Sequence, residues 1–356
     1  MLQKKLIALA VAGLMSAPAF AQSNVTVYGI ADAYMAFGSS GKNDLRGVQS
    51  GGLSGSRLGF KGSEDLGNGL KAVFVLEQGF NIDNGGEADS TKQFQRQSLV
   101  GLSGSFGTVS LGRQYAPGYD FQYDAVASSP IGPQAILSGG MGSSIAPNSA
   151  ARWDNSVAYN ATYGAVKARV IYAMGNDSTS ELATSDVTGD DHYGLGLEYA
   201  NGPLKVGAVY QGIKTRSTLA TADDQTEWLV GGSYNFGVLT LAASYQAANS
   251  LGNADGIDGD MWQAGVIVPV STAGNVHVAY GRATVDQAAG CDADSNSWTV
   301  AYTHAMSKRT TLYAGYNSTT NDNGLAYGVV DAETVGGLEV TGEDSNVFVV
   351  GMRHAF

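Results

Sequence analysis

Short segments in which apolar and polar residues alternate recur along the whole chain, and they predict β-strands, because successive side chains of a strand point to opposite faces of a sheet. Residues 345–356 are a clear example. One face of this segment is mostly apolar: Phe348, Val350, Met352, His354 and Phe356. An apolar edge would promote aggregation of a soluble sheet. A strand that closes a barrel in lipid needs such a face, since unpaired backbone groups in hydrocarbon are costly. The end of the chain therefore predicts a membrane barrel.

Sixteen segments of this kind follow one another, separated alternately by tight turns and long polar loops. Short turns such as 105–107 and 236–237 contrast with loops such as 38–53 and 321–344. This asymmetry is typical of outer-membrane barrels with an even strand number, whereas soluble β-sandwiches rarely separate loop lengths so cleanly. The predicted strands are 23–37, 54–63, 70–82, 93–104, 107–114, 151–161, 164–175, 190–201, 203–214, 226–236, 238–249, 259–270, 274–286, 295–306, 310–320 and 345–356. The sequence thus predicts an all-β fold, a sixteen-stranded antiparallel transmembrane β-barrel whose last strand pairs with residues 25–35.

The first 21 residues have the pattern of a secretory signal peptide: two lysines, an apolar run and a small-residue exit that ends at Ala21. We expect removal of 1–21 and a single barrel domain over 22–356. The remainder has no apolar run long enough for a transmembrane helix. The single cysteine, Cys291, has no second cysteine with which to form an intramolecular disulfide. The net charge of −12 argues against a nucleic-acid partner, because phosphate contacts need a basic surface.

Strand alternation also predicts which charged side chains face water inside the barrel. In 54–63, Leu58 and Phe60 suit lipid, which places Arg57 and Lys61 on the lumen side. A charge at mid-depth on the lipid side costs about 2–4 kcal/mol, so other strand charges should also point inward. The same argument gives Lys71, Glu77, Arg152 and Asp154 as lumen-facing residues. It gives Arg96 as well, although the alternation around that residue is less regular. Trp153 is expected to face lipid.

The longest connection within the predicted barrel, residues 115–150, is expected to narrow the channel. Structureless loops of this length are uncommon and are usually functional, and a sixteen-stranded barrel is too wide for its side chains to fill. The loop carries two early acids and is then almost uncharged, which suits a position in the lumen; an exposed surface loop is the alternative. Charges on opposite sides of a narrow opening would select solutes by sign, although ordinary solvated charges are the simpler interpretation of each residue. The candidate constriction residues are Arg57, Arg96, Arg152, Asp120, Asp124 and Glu77.

Four stretches of the chain closely resemble the trimeric general-diffusion porins of Gram-negative outer membranes, particularly those of β-proteobacteria and neisseriae. These stretches are SRLGFKGSEDLGNGLKAVFVLEQGFN (56–81), RQSLVGLSGSFGTVSLGRQ (96–114), RWDNSVAYN (152–160) and GMRHAF (351–356).

The resemblance implies a sixteen-stranded barrel with its third extracellular loop folded into the lumen. It implies a homotrimer in an outer membrane with lipopolysaccharide, and passive diffusion of small hydrophilic solutes and ions, often with anion preference. It further implies that Arg57, Arg96 and Arg152 line the constriction and that Phe356 belongs to the signal read by the barrel-insertion machinery.

Other functions have less support in the sequence. The four histidines lie on separate predicted strands without a Ser/His/Asp arrangement, a metal-binding pair or a nucleophile elbow, so we expect no enzyme activity, no cofactor and no metal centre. Acidic loop clusters could attract divalent cations beside lipopolysaccharide phosphates, although solvated acids explain them as well. A substrate-specific channel with a solute-binding site remains the alternative function.

Overall fold

The computed structural model describes residues 24–40, 43–126, 130–147, 152–175, 191–215, 222–286, 292–322, 324–325, 327–329, 335–337 and 342–356. The expected signal peptide and Cys291 lie outside these residues. The strands are β1 (Asn24–Ser40), β2 (Asn43–Ser50), β3 (Arg57–Gly67), β4 (Leu70–Gly79), β5 (Gln97–Gly104), β6 (Gly107–Tyr115), β7 (Arg152–Tyr163), β8 (Val166–Ala173), β9 (His192–Asn201), β10 (Leu204–Ile213), β11 (Gln225–Asn235), β12 (Thr240–Asn249), β13 (Asp258–Pro269), β14 (Gly274–Asp286), β15 (Asp292–Ala305), β16 (Thr310–Asn321), β17 (Tyr327–Val329), β18 (Val335–Gly337) and β19 (Ser345–Ala355). Two short helices, α1 (Pro117–Asp120) and α2 (Pro133–Met141), lie between β6 and β7.

The main sheet is antiparallel and closes on itself. The last strand, β19, pairs with β16 on one side and with β1 on the other, where Ile30 lies opposite Ala355 and Phe37 opposite Phe348. Both β2 and β3 pair with β1, so these two strands share one position in the wall. The seventeen strands of this sheet therefore fill sixteen positions. The predicted sixteen-stranded barrel and its closing pair are confirmed.

The strand β2 was not predicted, because residues 38–53 are polar and were assigned to a loop. Its presence follows from the length of β1, which has 17 residues. The strand β3 pairs only with residues 24–30 of β1. Residues 33–40 of β1 would therefore have unpaired backbone groups on the edge that faces β3. The strand β2 pairs with this part of β1, from Ala33 opposite Ser50 to Ser40 opposite Asn43.

The two faces of the wall differ in polarity. Exposed valines, leucines and aromatic residues cover the outer face, where three cross-strand pairs bring a tryptophan ring within 5.3–5.5 Å of a tyrosine ring: Trp228–Tyr245, Trp262–Tyr280 and Trp298–Tyr316. Such aromatic bands are characteristic of the membrane–water interface of barrels. The inner face is rich in buried Gln, Ser, Thr and Asn side chains. Within the described residues, no helix is long and apolar enough to cross a membrane.

Residues 116–126 and 130–147, here called the inner loop, pack against this polar face. The ring of Phe121 fills the space above Gly196, where a Cβ would lie 2.5 Å from it, and Ile131 similarly covers Gly315. Buried amide side chains hold the backbone: Gln211 accepts a hydrogen bond from the N–H of Gly118 at 2.6 Å, and Gln263 donates to the carbonyl of Tyr123. Since the sheet is closed, these contacts place the inner loop within the barrel, along β8–β16.

One orientation that strict alternation predicted is wrong. The pairing of β6 with β7 shifts register between Gly112 and Gln114, and Asn155 has a positive φ of 48°. A bulge of this kind adds a residue to one strand and reverses the alternation beyond it. Trp153 consequently lies on the inner side, 3% exposed, in contact with the buried cluster around Ala158.

Candidate pore constriction

Glu77 is the centre of a buried charge cluster on the part of the wall that the inner loop leaves uncovered. Its side chain extends from β4 and is 3% exposed. One carboxylate oxygen, Oε1, lies 2.8 Å from Nε of Arg96 and 3.9 Å from Nη1 of Arg57. The other oxygen accepts a hydrogen bond from the Tyr28 hydroxyl at 2.9 Å. Arg57 of β3 and Glu77 of β4 lie on the same face of the wall, and Arg96 joins them from the residue that precedes β5.

A pair of stacked tyrosines connects this cluster to the inner loop. The rings of Tyr115 and Tyr119 lie 3.9 Å apart at an angle of 11°. Arg96 donates through Nη2 to the Tyr115 hydroxyl at 2.7 Å, and Cζ of Arg152 lies 5.1 Å from the Tyr115 ring centroid. A guanidinium at that distance is attracted by the ring electrons. The tyrosines thus bring Arg152 to the same site as Arg57 and Arg96.

Tyr119 lies within the electrostatic field of all three arginines. Burial opposes ionisation of its hydroxyl, but Arg96, Arg57 and Arg152 together outweigh that effect and hold the pKa of Tyr119 below its usual value. A hydrogen bond with Tyr115 acts in the same direction, because nearby cations and hydrogen bonds to the ionised form both favour the phenolate. Three arginines from three different parts of the wall thus act on the residue at the tip of α1.

A second group of charges adjoins the first. Arg113 and Lys92 both pair with Asp154, and the Arg113 Nη1 atom lies 2.6 Å from an Asp154 oxygen. Arg113 also donates to the carbonyl oxygen of Arg152 at 3.4 Å. Sequence reasoning named Asp154 but neither of its cationic partners. Arg113 lies at the bulge, where alternation does not predict orientation.

Asp120 pairs with an arginine that the sequence reasoning missed. Its Oδ2 atom lies 2.5 Å from Nη1 of Arg169, and Arg169 also donates to the carbonyl oxygen of Tyr115. Alternation along β8 was a usable signal, because Val170 and Tyr172 are exposed on the outer face and Arg169 belongs to the opposite one. Asp120 therefore neutralises Arg169, and no described contact joins it to the three predicted arginines.

Asp124 lies farther along the inner loop and has no described contact with the arginines either. One oxygen accepts a hydrogen bond from the backbone N–H of Val126 at 2.8 Å. Burial raises the pKa of Asp124 to about 6, although this N–H and that of Gln134 act in the opposite direction. Its contacts are those of a residue that shapes the loop.

The remaining predicted residues lie outside the cluster. Nζ of Lys61 is 4.9 Å from the Tyr28 ring centroid, and Lys71 is exposed near the turn that follows β3. The backbone of Phe356 exchanges two hydrogen bonds with Gly29, of 3.0 and 3.1 Å. The Phe356 ring covers the same glycine, where a Cβ would lie only 2.3 Å from the ring.

Ion pairs and ring contacts join six cations and three carboxylates in the cluster and its surroundings, and a further carboxylate, Asp89, interacts electrostatically with Lys92 and Arg113. The cations are Arg57, Lys92, Arg96, Arg113, Arg152 and Arg169, and the carboxylates are Glu77, Asp120 and Asp154. The local charge is positive although the whole chain is acidic. Among the residues that the structure describes, no group of three His, Cys, Asp or Glu is arranged to hold a metal ion. The arrangement can attract and position anions.

Comparisons with known proteins agree with this architecture. Residues 8–324 match the sequence profile of a family described as Gram-negative porin. Outer membrane porin protein 32 of Delftia acidovorans is 35% identical over 361 residues that cover 100% of both chains, and an outer membrane porin protein of Bordetella pertussis is 29% identical over 88% of this chain and 93% of its own. Among solved structures, an anion-selective porin from Comamonas acidovorans is 31% identical with a TM-score of 0.76 over 94% of this chain and 100% of its own.

Proposed function

The chain belongs to the Gram-negative porin family and forms a channel in the outer membrane, and we propose that its arginine cluster is the constriction that gives small anions preferential passage. Its relatives are channels and not enzymes. The proposed transport is passive diffusion of small hydrophilic solutes and ions through the space between the inner loop and the wall that carries the charges.

The observation that carries the anion preference is the excess of cations at one place. Six cationic side chains lie close to three carboxylates there, and three of the arginines act together to lower the pKa of Tyr119. A narrow opening with fixed charge of one sign raises the local concentration of ions of the other sign. The anion-selective porin from Comamonas acidovorans, which has the same fold at 31% identity, supports this assignment.

The proposed assembly is a homotrimer. A Vibrio cholerae OmpT structure described as a trimer form has the same fold, with a TM-score of 0.67. Val25 and Val27 on the outer face of β1 are 58% and 57% exposed in the single chain, and either a neighbouring protomer or lipid could cover them. Contact with outer-membrane lipid and lipopolysaccharide, and recognition of Phe356 by the barrel-insertion machinery, belong to the same proposal.

The test is the reversal potential of the purified protein in a planar bilayer across a KCl gradient. A guanidinium about 4 Å from a passing ion contributes about 1 kcal/mol even in water, so removing three should lower the anion-to-cation permeability ratio by about tenfold or more. The test variant is R57Q/R96Q/R152Q. The matched control K205Q/K308Q/R309Q removes three cations near the short turns, away from the cluster.

Two outcomes would contradict the proposal at different levels. A folded protein that produces no conductance steps would refute channel formation in this form. Conductance with the same reversal potential in both triple variants would leave the channel intact and remove the arginines from its selectivity. Saturable block by one solute, absent for others of similar size, would favour the substrate-specific channel.

A further inference from the structure

A separate cavity of about 310 Å³ lies on the inner wall, on the side of the barrel where the inner loop meets β13–β16 and β19. Leu53 and Ser54, in the link between β2 and β3, form one side of it. Most of the remaining surface is apolar and comes from Val126 and Ile131 of the inner loop and from Ile267 and Ala301 of the wall. Its volume is at the lower end of the range for sites that bind small molecules.

Among the described residues that line this mostly apolar cavity, Arg353 is the one lysine or arginine. Its Nε atom donates to Oγ of Ser54 at 2.8 Å. Asp32 lies opposite Arg353 in the sheet. However, the Asp32 carboxylate is occupied by the Tyr313 hydroxyl at 2.6 Å and by the N–H groups of Leu53 and Ser54 at 2.8 and 2.9 Å. The two terminal nitrogens of Arg353 therefore have no hydrogen-bond partner among the described residues.

The other polar groups of the cavity are already engaged. Nδ1 of His277 lies 2.8 Å from the carbonyl oxygen of Ala125, and its Nε2 lies 2.9 Å from the Thr303 hydroxyl. The Tyr313 hydroxyl is bound to Asp32. Of the described residues that line the cavity, only Arg353 offers a pair of N–H groups to a molecule inside it, and such a pair matches the geometry of a carboxylate.

We propose that this cavity is a binding subsite for a small organic acid with a single carboxylate and an apolar body, the carboxylate on Arg353 and the body against Val126, Ile131, Ile267 and Ala301. An inorganic anion could use the guanidinium but not the apolar walls. A neutral apolar molecule could use the walls but not the charge. The subsite requires both parts in one molecule. It rests on the proposed function only in that the solute must enter the barrel.

The subsite also has a defined relation to the constriction. Ser54, which accepts the hydrogen bond from Arg353, is followed directly by Gly55. A Cβ at Gly55 would lie 3.0 Å from Nη1 of Arg96. The Gly55 carbonyl accepts a hydrogen bond from Arg57 at 2.9 Å. A single short segment of chain thus separates Arg353 from the arginine cluster. An anion that passes the cluster finds the guanidinium of Arg353 on the other side of that segment.

Isothermal titration of the folded full-length protein with benzoate tests the subsite, with acetate and benzyl alcohol as probes that lack the apolar body or the charge. We expect benzoate to bind at least tenfold more tightly than either probe, and R353Q to weaken it at least tenfold. The second variant, A301L, places a larger side chain in the cavity, leaves Arg353 itself unaltered, and should abolish the advantage of benzoate over acetate. It serves if R353Q does not fold.

Three results would overturn the subsite. The first is equal affinity for benzoate and acetate. The second is benzoate binding that is unchanged in both R353Q and A301L. The third is benzoate binding that is lost only in R57Q/R96Q/R152Q, a result that would place the anion at the constriction. Benzoate binding that depends on Arg353 in a protein without conductance would uphold the subsite and contradict the proposed channel. The reversal potential in KCl gradients therefore separates the two proposals.

Discussion

Replacement of Glu77 by Gln tests the architecture of the charge cluster most directly. The substitution keeps the size of a side chain that is 3% exposed and removes the negative charge that binds Arg96 at 2.8 Å and Arg57 at 3.9 Å. Breaking a buried ion pair by removal of one partner costs about 3–5 kcal/mol, because the remaining charge stays buried without compensation. Arg57 retains its hydrogen bond to Gly55, so we expect a loss at the lower end, about 3 kcal/mol.

Urea titration of the protein refolded into lipid vesicles measures this loss. The matched control is Tyr28→Phe, which removes only the hydroxyl that donates to Glu77 at 2.9 Å. A hydrogen bond to a charged group contributes about 1.5–3 kcal/mol. Tyr28 is more accessible than Glu77, so water can replace its hydroxyl, and the control should lose about 1.5 kcal/mol or less.

E77Q should also change ion selectivity: it lowers stability but should strengthen the preference for anions. With Glu77 neutral, six cations face two carboxylates, and the reversal potential in a KCl gradient should shift towards stronger anion selectivity. Equal stability of E77Q and Y28F, together with a reversal potential equal to that of the unaltered protein, would contradict the role of Glu77 as the centre of the cluster. A protein that is less stable but equally selective would show that Glu77 supports the fold without contributing to the potential of the channel.

Three further changes have defined outcomes. Asp32→Asn leaves only one acceptor for three donors and should lower the free energy of unfolding by about 2–3 kcal/mol, against about 1 kcal/mol for Tyr313→Phe, both measured by urea titration. The neutral carboxyl of Asp124 contributes stability that is fully present below about pH 4 and is lost as pH rises through about 6. Asp124→Asn should therefore raise the urea midpoint of unfolding at pH 7.5 and leave it unchanged at pH 4. An equal effect at both pH values would contradict burial of the charge. Gly196→Leu should displace the ring of Phe121 and alter single-channel conductance, and unchanged conductance would show that the inner loop does not limit flow there.

The barrel could be predicted from the sequence because lipid and water impose opposite requirements on alternate residues. Every predicted strand is present, and most bounds agree to within about three residues. The strand that alternation does not predict is β2, because each of its faces is mostly polar and carries a single apolar residue, Leu45 on one face and Val48 on the other. Only the length of β1, which requires a second partner, reveals it.

The charge cluster could be predicted only in part, for reasons that differ between residues. Arg57 and Glu77 lie on regular strands, where parity determines the face. The residues of β7 after Asn155 follow parity, whereas Trp153, on the other side of the bulge, does not, and a positive φ at an asparagine cannot be inferred from alternation. The partner of Asp120 depends on the path of the inner loop across the wall, which is a matter of tertiary packing and not of local pattern.

The path of the inner loop is related to the distribution of charged residues on the inner wall. The wall beneath the loop carries neutral polar side chains such as Gln211, Gln263 and Asn317, all fully buried, because an unpaired charge under the loop would be destabilising. Charged wall residues that contact the loop are compensated: Glu227 accepts hydrogen bonds from the Ser143 hydroxyl and two backbone N–H groups, and Arg169 pairs with Asp120. The arginines around Glu77 lie beside the uncovered part of the wall, where Glu77 and the Tyr115 hydroxyl compensate part of their charge. The proposed path for anions therefore runs past these arginines, on the side of the barrel that the inner loop leaves open.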